Sequence, residues 1–521
     1  MHTEENVKTL GLVLCLLALP AAQAVAATEY HLSIDRKAMH ITGRSADGIA
    51  INGSIPGPLL RLRQGEEVVI HVTNHLDVDT SLHWHGLIIP SDMDGVPGLS
   101  FDGIKPGETF TYRFTPHQSG TYWYHSHSGL QEQAGAYGPI VIEPDRPDPV
   151  HADREYIVML SDWTDEKPET VLRHLKSQSD YYKKPRRTLA GLIGELVHAA
   201  PDERQHIIGE RLAFARMRMD PTDIADVTGY TFLINGRSPA GNWTALFKPG
   251  ERVRLRFINA ASASFFDVAV PGLKMQVVAA DGQNVQPVTV DRLPIAIAET
   301  YDVIVTPTEA KPFTIFAEAW DRSGYARGTL APRPGLEAPV PPMDARRVLT
   351  MGEMMPAHAM HPGMKMGMPM GHGDHGIGHA KTGDAKPVVL TYADLKSRVR
   401  TDGKVTREIT LRLTGNMERY FWSFNDVKYS MAKPIEFKFG ERVRVRLVNE
   451  TMMNHPIHLH GLWQVLQNGQ QPYAPKKHTI NVPPKQTVVV EIPVDHRGRW
   501  ALHCHILYHM ATGMFREVEV K

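Results

Sequence analysis

One block of sequence occurs three times along the chain, so any fold must accommodate three like units. The first copy runs Asn52-Gly53, Gly65-Glu66, Asn74 and His83-Trp84-His85. The second runs Asn235-Gly236, Gly250-Glu251, Asn259 and Val268-Ala269-Val270, and the third Asn425-Asp426, Gly440-Glu441, Asn449 and His458-Leu459-His460. Each Gly-Glu turn leads into an alternating run: Val68-Val69-Ile70-His71-Val72, Val253-Arg254-Leu255-Arg256-Phe257 and Val443-Arg444-Val445-Arg446-Leu447. That period predicts half-buried strands. A second half follows in register in the outer copies. Pro106-Gly107-Glu108-Thr109 leads to His125-Ser126-His127, and Pro484-Lys485-Gln486-Thr487 leads to His503-Cys504-His505. In the middle copy Glu299-Thr300-Tyr301 leads to Phe316-Ala317-Glu318, with no histidine where its siblings carry one. Regularly spaced strands with turn signals predict an all-β chain of three sandwich or Greek-key domains. The first and third are expected to hold metal and the second to be structural.

The expected boundaries are a leader at 1–26, domains at 27–147, 148–342 and 387–521, and a linking segment at 343–386. A chain of 521 residues is long enough for several cores. The 42 Gly and 38 Pro fit many turns and short strands. A formal net charge of +0 argues against nucleic acid as a partner and supplies no pull toward anionic membrane. The only cysteines are Cys15, in the leader, and Cys504, so a disulfide framework is excluded. The leader has Lys8, an apolar run from Leu10 to Leu19, and small residues around Ala24 and Ala26. That pattern is a secretory signal, too short to span a bilayer. It lacks a twin-arginine pair, which leaves open the general secretory route or a misassigned start. No other segment is long and apolar enough to cross, so an exported, soluble mature protein is expected.

Two stretches fall outside the repeat. Residues 165–225 are predicted helical, because Leu189, Leu192, Ile193, Leu196 and Val197 recur at helical spacing. That stripe is expected to serve packing. Residues 343–380 interleave Met351, Met354, Met355, Met360, Met364, Met366, Met368 and Met370 with His358, His361, His372, His375 and His379. Such a stretch cannot bury a core and is expected to be disordered. Its thioethers are soft ligands suited to Cu(I).

The chemistry concentrates in four pieces: His83-Trp84-His85, His125-Ser126-His127, His455-Pro456-Ile457-His458-Leu459-His460, and His503-Cys504-His505 with His509 and Met514. On a strand, side chains alternate between faces, so each H-x-H pair presents two imidazoles on one side. His503 and His505 then point one way and Cys504 the other, and one short peptide can serve two metal sites. Cys504, His509 and Met514 with His455 make a His₂Cys set and a weak thioether, the ligand chemistry of a blue-copper centre. A single H-x-H is weak evidence, but four at matching places in a tandem repeat are strong.

These four motifs, their order and the threefold repeat resemble the multicopper oxidases. The leader, the Met/His-rich segment and the run Ser91-Asp92-Met93-Asp94-Gly95-Val96-Pro97-Gly98 resemble the bacterial copper-resistance protein A branch. The resemblance covers nearly the whole mature chain. It implies cupredoxin-like Greek-key β-sandwich domains and four copper ions: one type 1, one type 2 and two type 3. By motif position His455, Cys504, His509 and Met514 match the type 1 ligands, and His83 and His458 the type 2 pair. His85, His125, His127, His460, His503 and His505 match the type 3 set. Domains one and three should therefore meet around the inner site, with copper as a clamp between them.

The resemblance also implies one-electron oxidation of a substrate at type 1 copper, coupled to four-electron reduction of O₂ to water at the trinuclear cluster. Cys504 is the covalent route between them, and Asp94 stands where the family places a proton-relay acid, though Asp94-Gly95 also suits a plain turn. Met510 follows His509 where many relatives carry an acid, so no second carboxylate is expected from that place. The Met-rich segment favours Cu(I) as the donor, with a role in copper tolerance in the periplasm alongside other copper-handling proteins. The alternatives are a broad phenol oxidase of laccase type and a non-catalytic copper-sequestering protein.

Overall fold

The computed structural model describes residues 27–183, 188–216, 224–346 and 386–521. The leader at 1–26 and nearly all of the Met/His-rich segment lie outside the described residues. Among the described residues six β-sheets pair into three sandwiches. In each, the first long strand runs parallel to the strand after the Gly-Glu turn: Thr28–Met39 with Val68–Asn74, Arg154–Trp163 with Val253–Asn259, and Arg407–Asn416 with Arg442–Asn449. The threefold repeat in sequence is thus a threefold repeat of one strand pairing.

The repeated asparagine explains itself at this level. Asn74, Asn259 and Asn449 are all buried at the ends of those strands. Each side-chain amide donates to one backbone carbonyl in the loop just after it and one in a distant segment: Asn74 to Val78 and Ile104, Asn259 to Ser264 and Ile295, Asn449 to Met453 and Val482. A buried loop would otherwise leave those carbonyls unpaired.

The two halves of each repeat are cross-strand neighbours. His83–His85 pairs antiparallel with Gly120–His125, so that His83 faces His125. His455–Leu459 pairs antiparallel with Gly498–Cys504, so that His458 faces His503 and Ile457 faces Cys504. In the middle sandwich Val268, at the place of His83 and His458, lies opposite Ala317, one residue along from the matching Phe316.

Two expectations need correction. The alternating run of the middle copy is not half-exposed, because Val253–Asn259 is buried throughout. Arg254 and Arg256 face a buried carboxylate, Asp302, instead of solvent. The helical stretch exists, as Pro168–Ser177, Leu189–His198 and Pro201–Arg216. Its first helix is anchored by buried Val171 and Leu175, but the second buries no residue. Leu189, Ile193 and Val197 are 75%, 57% and 67% exposed while Leu192 and Leu196 are half-buried, so only part of the apolar stripe is covered by the described residues. Helical periodicity reports an apolar face but does not say whether anything covers it. No helix among the described residues is long and apolar enough to cross a membrane.

Candidate metal centre

The strand Gly498–Cys504 ends at the site, and its alternation separates two clusters. On one side Cys504 Sγ lies 3.5 Å from His455 Nδ1 and 3.6 Å from His509 Nδ1, and the two nitrogens are 3.2 Å apart. A metal ion at the middle of such a triangle would sit about 2 Å from each corner, a transition-metal bond length. Both rings are turned by their outer nitrogens. His455 Nε2 bonds Thr451 Oγ1 at 2.7 Å, and His509 Nε2 donates to Asp226 Oδ2 at 2.8 Å. Tyr420 donates to the same oxygen at 2.7 Å. Burial opposes charge on Asp226, but the His509 ring beside it prevails and holds the carboxyl below its ordinary range. Met514 is fully buried, and its backbone closes the loop: its N–H donates to His509 at 3.0 Å and its carbonyl accepts from Cys504 at 3.1 Å. The four residues named from sequence are together. Burial pushes the free thiol up, so only a bound cation makes the thiolate favourable here.

On the other side eight histidines converge from two domains. His127, His460 and His503 offer nitrogens within 4.8 Å of one another, as do His83, His458 and His460. The His85, His125 and His505 rings are 4.9 to 5.6 Å apart. Rings of domain one stack on rings of domain three, His83 on His460 at 3.8 Å and His85 on His458 at 3.7 Å. Asp94 reaches across the same seam. Its Oδ2 accepts from His460 Nδ1 at 2.8 Å, its Oδ1 lies 3.3 Å from His83 Nδ1, and its backbone carbonyl accepts from that Nδ1 at 2.8 Å. Gly95 beside it has φ of +81°, and a Cβ there would meet the Leu82 carbonyl at 1.8 Å, so the turn that delivers Asp94 requires glycine.

The donor set fits metal. His85, His125, His127, His455, His458, His460 and His505 are all driven well toward the neutral form, first by burial and then by the charge of neighbouring histidines. The Nε2 atoms of His83, His125, His127, His458 and His505 and Nδ1 of His85 are buried with no hydrogen-bond partner. Several orphaned imidazole nitrogens aimed into one space are expensive unless a cation collects them.

A multicopper oxidase family model matches residues 33–147, a second 154–333 and a third 403–521. The chain belongs to the multicopper oxidases. It is 46% identical to copper resistance protein A of Escherichia coli, across 97% of this chain and 94% of that one. It is 48% identical to a copper resistance protein A homolog of Pseudomonas syringae pv. tomato, across 95% and 92%. These place it in the copper-resistance protein A branch, and as an oxidoreductase that uses copper. Among solved structures the laccase from Botrytis aclada superposes with a TM-score of 0.69, covering 95% of this chain and 87% of that one at 22% identity. That likeness speaks to the cupredoxin-like fold alone.

Three residues of this multicopper oxidase's site went unread in the sequence. Glu132 is buried, with Oε2 2.8 Å from His125 Nδ1 and Oε1 3.9 Å from His505 Nδ1. Burial, with the Asp162 charge added, pushes its carboxyl well up. A second carboxylate is therefore present at the cluster after all, but it comes from domain one. Asp226 orients His509 from the second domain. His478 stands beside His85, with ring centroids 4.8 Å apart. Gln131-Glu132-Gln133, a polar run just beyond His127 in a buried loop, was a signal that could have found the first. The other two had none.

Proposed function

We propose that this chain is an exported cuprous oxidase of copper tolerance, holding four coppers in the two clusters. His455, Cys504 and His509, with Met514 as a weak fourth, hold type 1 copper, and His83 and His458 hold type 2. His127, His460 and His503 serve one type 3 ion, and His85, His125 and His505 the other. Bound copper supplies one-electron oxidation of Cu(I), the substrate, at the outer site and four-electron reduction of O₂ to water at the inner one. The observation that carries the reading is the back-to-back peptide. Cys504 closes the outer triangle while the residues on either side of it face the inner nest. His505 also donates its backbone N–H to Pro456, next to His455, at 2.7 Å, which locks the two ligand strands together. The leader pattern at 1–26 fits delivery to the periplasm, where the Met/His-rich segment can collect Cu(I) from other copper-handling proteins.

The chain's own groups handle protons and orientation. The Asp94 carboxylate fixes His460 as an Nδ1 donor and the Asp94 backbone carbonyl fixes His83 as one, so their Nε2 atoms face the nest. Its Oδ1 has no hydrogen-bond partner, is wholly buried, and can take up a proton and pass it inward. Asp94→Asn keeps the shape but not the proton. It is expected to slow O₂ consumption by about 10²-fold or more while leaving the blue absorption intact; an unchanged rate would remove Asp94 from proton supply.

The reading is tested by O₂ consumption of the copper-loaded protein with Cu(I) and with a small phenol. Uptake with Cu(I) is expected. Uptake with the phenol alone favours a laccase, and uptake with neither favours sequestration. Deleting residues 351–379 should weaken Cu(I) turnover and spare phenol oxidation. Equal loss of both would refute a feeding role for that segment.

A further inference from the structure

Two histidines outside the nest meet on the open face of a domain-one sheet. The strand Thr28–Met39 runs parallel to Val68–Asn74 in a register that sets His31 beside His71. Leu32, Ile70 and Val72 fill the core, so alternation turns His31 and His71 outward. Glu29, two residues before His31, shares that face. The two imidazole rings stack with centroids 4.8 Å and planes 16° apart. Their Nε2 atoms reach one carboxylate oxygen, Glu29 Oε1, at 3.2 Å from His31 and 3.0 Å from His71. We infer that Glu29, His31 and His71 form a surface site for a divalent late transition ion, Cu(II) ahead of Zn(II). The inference does not depend on the reading of the inner nest.

The spacing and the donor types both suit such an ion. Neighbouring donors around an ion with bonds of about 2 Å lie about 3 Å apart, so both nitrogen-to-oxygen distances already have the size of a coordination edge. Two imidazoles and a carboxylate bind borderline divalent ions, and affinity in such a set rises to Cu(II) and falls again at Zn(II). The set holds no sulfur, so it does not favour Cu(I) as the thioethers of residues 343–380 do. Aim comes from a third strand. Thr109–Phe114 pairs with Val68–Asn74 so that Thr111 lies opposite His71, and Thr111 Oγ1 is 2.9 Å from His71 Nδ1. A hydroxyl serves as donor or acceptor. Thr111 can donate to Nδ1 while Nε2–H goes to Glu29, or accept from Nδ1–H while the Nε2 lone pair goes to an ion. Metal binding therefore costs no hydrogen bond at Nδ1. Among the described residues the Glu29 carboxylate pairs with the two imidazoles and with no lysine or arginine, so its charge is left for a cation. The side chains of His31, Glu29 and His71 are 74%, 56% and 27% exposed, so an ion reaches them directly from solvent.

The test uses the full chain with its resident coppers loaded, and reads each histidine by the rate of its carbethoxylation, peptide by peptide. Because the readout is taken at named histidines, ions collected by the Met/His-rich segment do not enter it. Added Cu(II) should slow modification of His31 and His71 together, with one midpoint, whereas Mg(II), which takes oxygen ligands, should not. In His71→Ala the protection of His31 should be lost, and in Glu29→Gln both histidines should lose it. Thr111→Val removes only the aiming hydroxyl and should raise the Cu(II) midpoint about tenfold. All three variants should keep the blue absorption and melting temperature of the wild type, reporting a folded chain. A wild type in which Cu(II) protects neither histidine would overturn the inference. So would protection of His31 that survives in His71→Ala, or a midpoint for Zn(II) below that for Cu(II).

Discussion

Cys504→Ser is expected to abolish the blue absorption and bring O₂ consumption with every donor down to background, while the protein still folds. The oxygen of serine fills nearly the space of the sulfur, and the position is fully buried beside Trp422, Ile457 and Met514, so the core loses little. The chemistry loses everything. Sulfur is the soft corner of the triangle with His455 and His509, and a buried hydroxyl has no tendency to ionise there. The apo forms of variant and wild type should melt within a few degrees of each other. The copper-loaded forms should differ more, because the wild type gains the binding free energy of one further ion. Copper counting should find the inner ions still present, since His503 and His505 keep their place on the same strand. A variant that remained blue would mean that the thiolate is not the ligand, and the assignment of both clusters would fall with it.

That outcome also measures how much could be read before any coordinates. The strand alternation at His503-Cys504-His505 was enough to predict metal sites on opposite faces, a reading that rests on local period, which a sequence carries in full. The seam between domains one and three came from the ligand set that the family resemblance implies. What stayed hidden depends on long-range contact. Asp226 meets His509 across 283 positions, and Asp281 meets the His478 backbone across 197. Neither carboxylate lies in a motif, and each comes from the copy that carries no ligand of its own. For the same reason the exposed stripe of Leu189, Ile193 and Val197 was legible as a helix face but not as an uncovered one.

The middle domain, metal-free by the ligand assignment, should nevertheless prove essential to the cluster's stability, and Asp302→Ala is the variant that shows it. Asp302 is 1% exposed. Its Oδ2 accepts from Arg254 Nη2 at 2.6 Å and from Arg256 Nη1 at 2.9 Å, and its Oδ1 accepts from Thr121 of domain one at 2.7 Å. Arg254 has Asp148 as a second partner and Arg256 has Glu155, both only partly buried. Removing Asp302 leaves two buried guanidinium groups short of a charge, which costs about 3–5 kcal/mol when one member of such a group is deleted. The loss is expected as a lower denaturant midpoint for the apo chain at unchanged slope. It should reach the metal as well. Thr121 lies on the strand Gly120–His125, whose last residue is a cluster histidine, and Thr300 of the second domain holds the same strand by donating to the Thr121 carbonyl at 3.0 Å. Loosening that strand frees His125 from its pairing with His83. Inner-site copper should then be stripped by chelator more readily than in the wild type, while the outer triangle, whose three corners all lie in domain three, keeps its blue colour. Equal loss from both sites would mean that the arginine pair acts on folding alone.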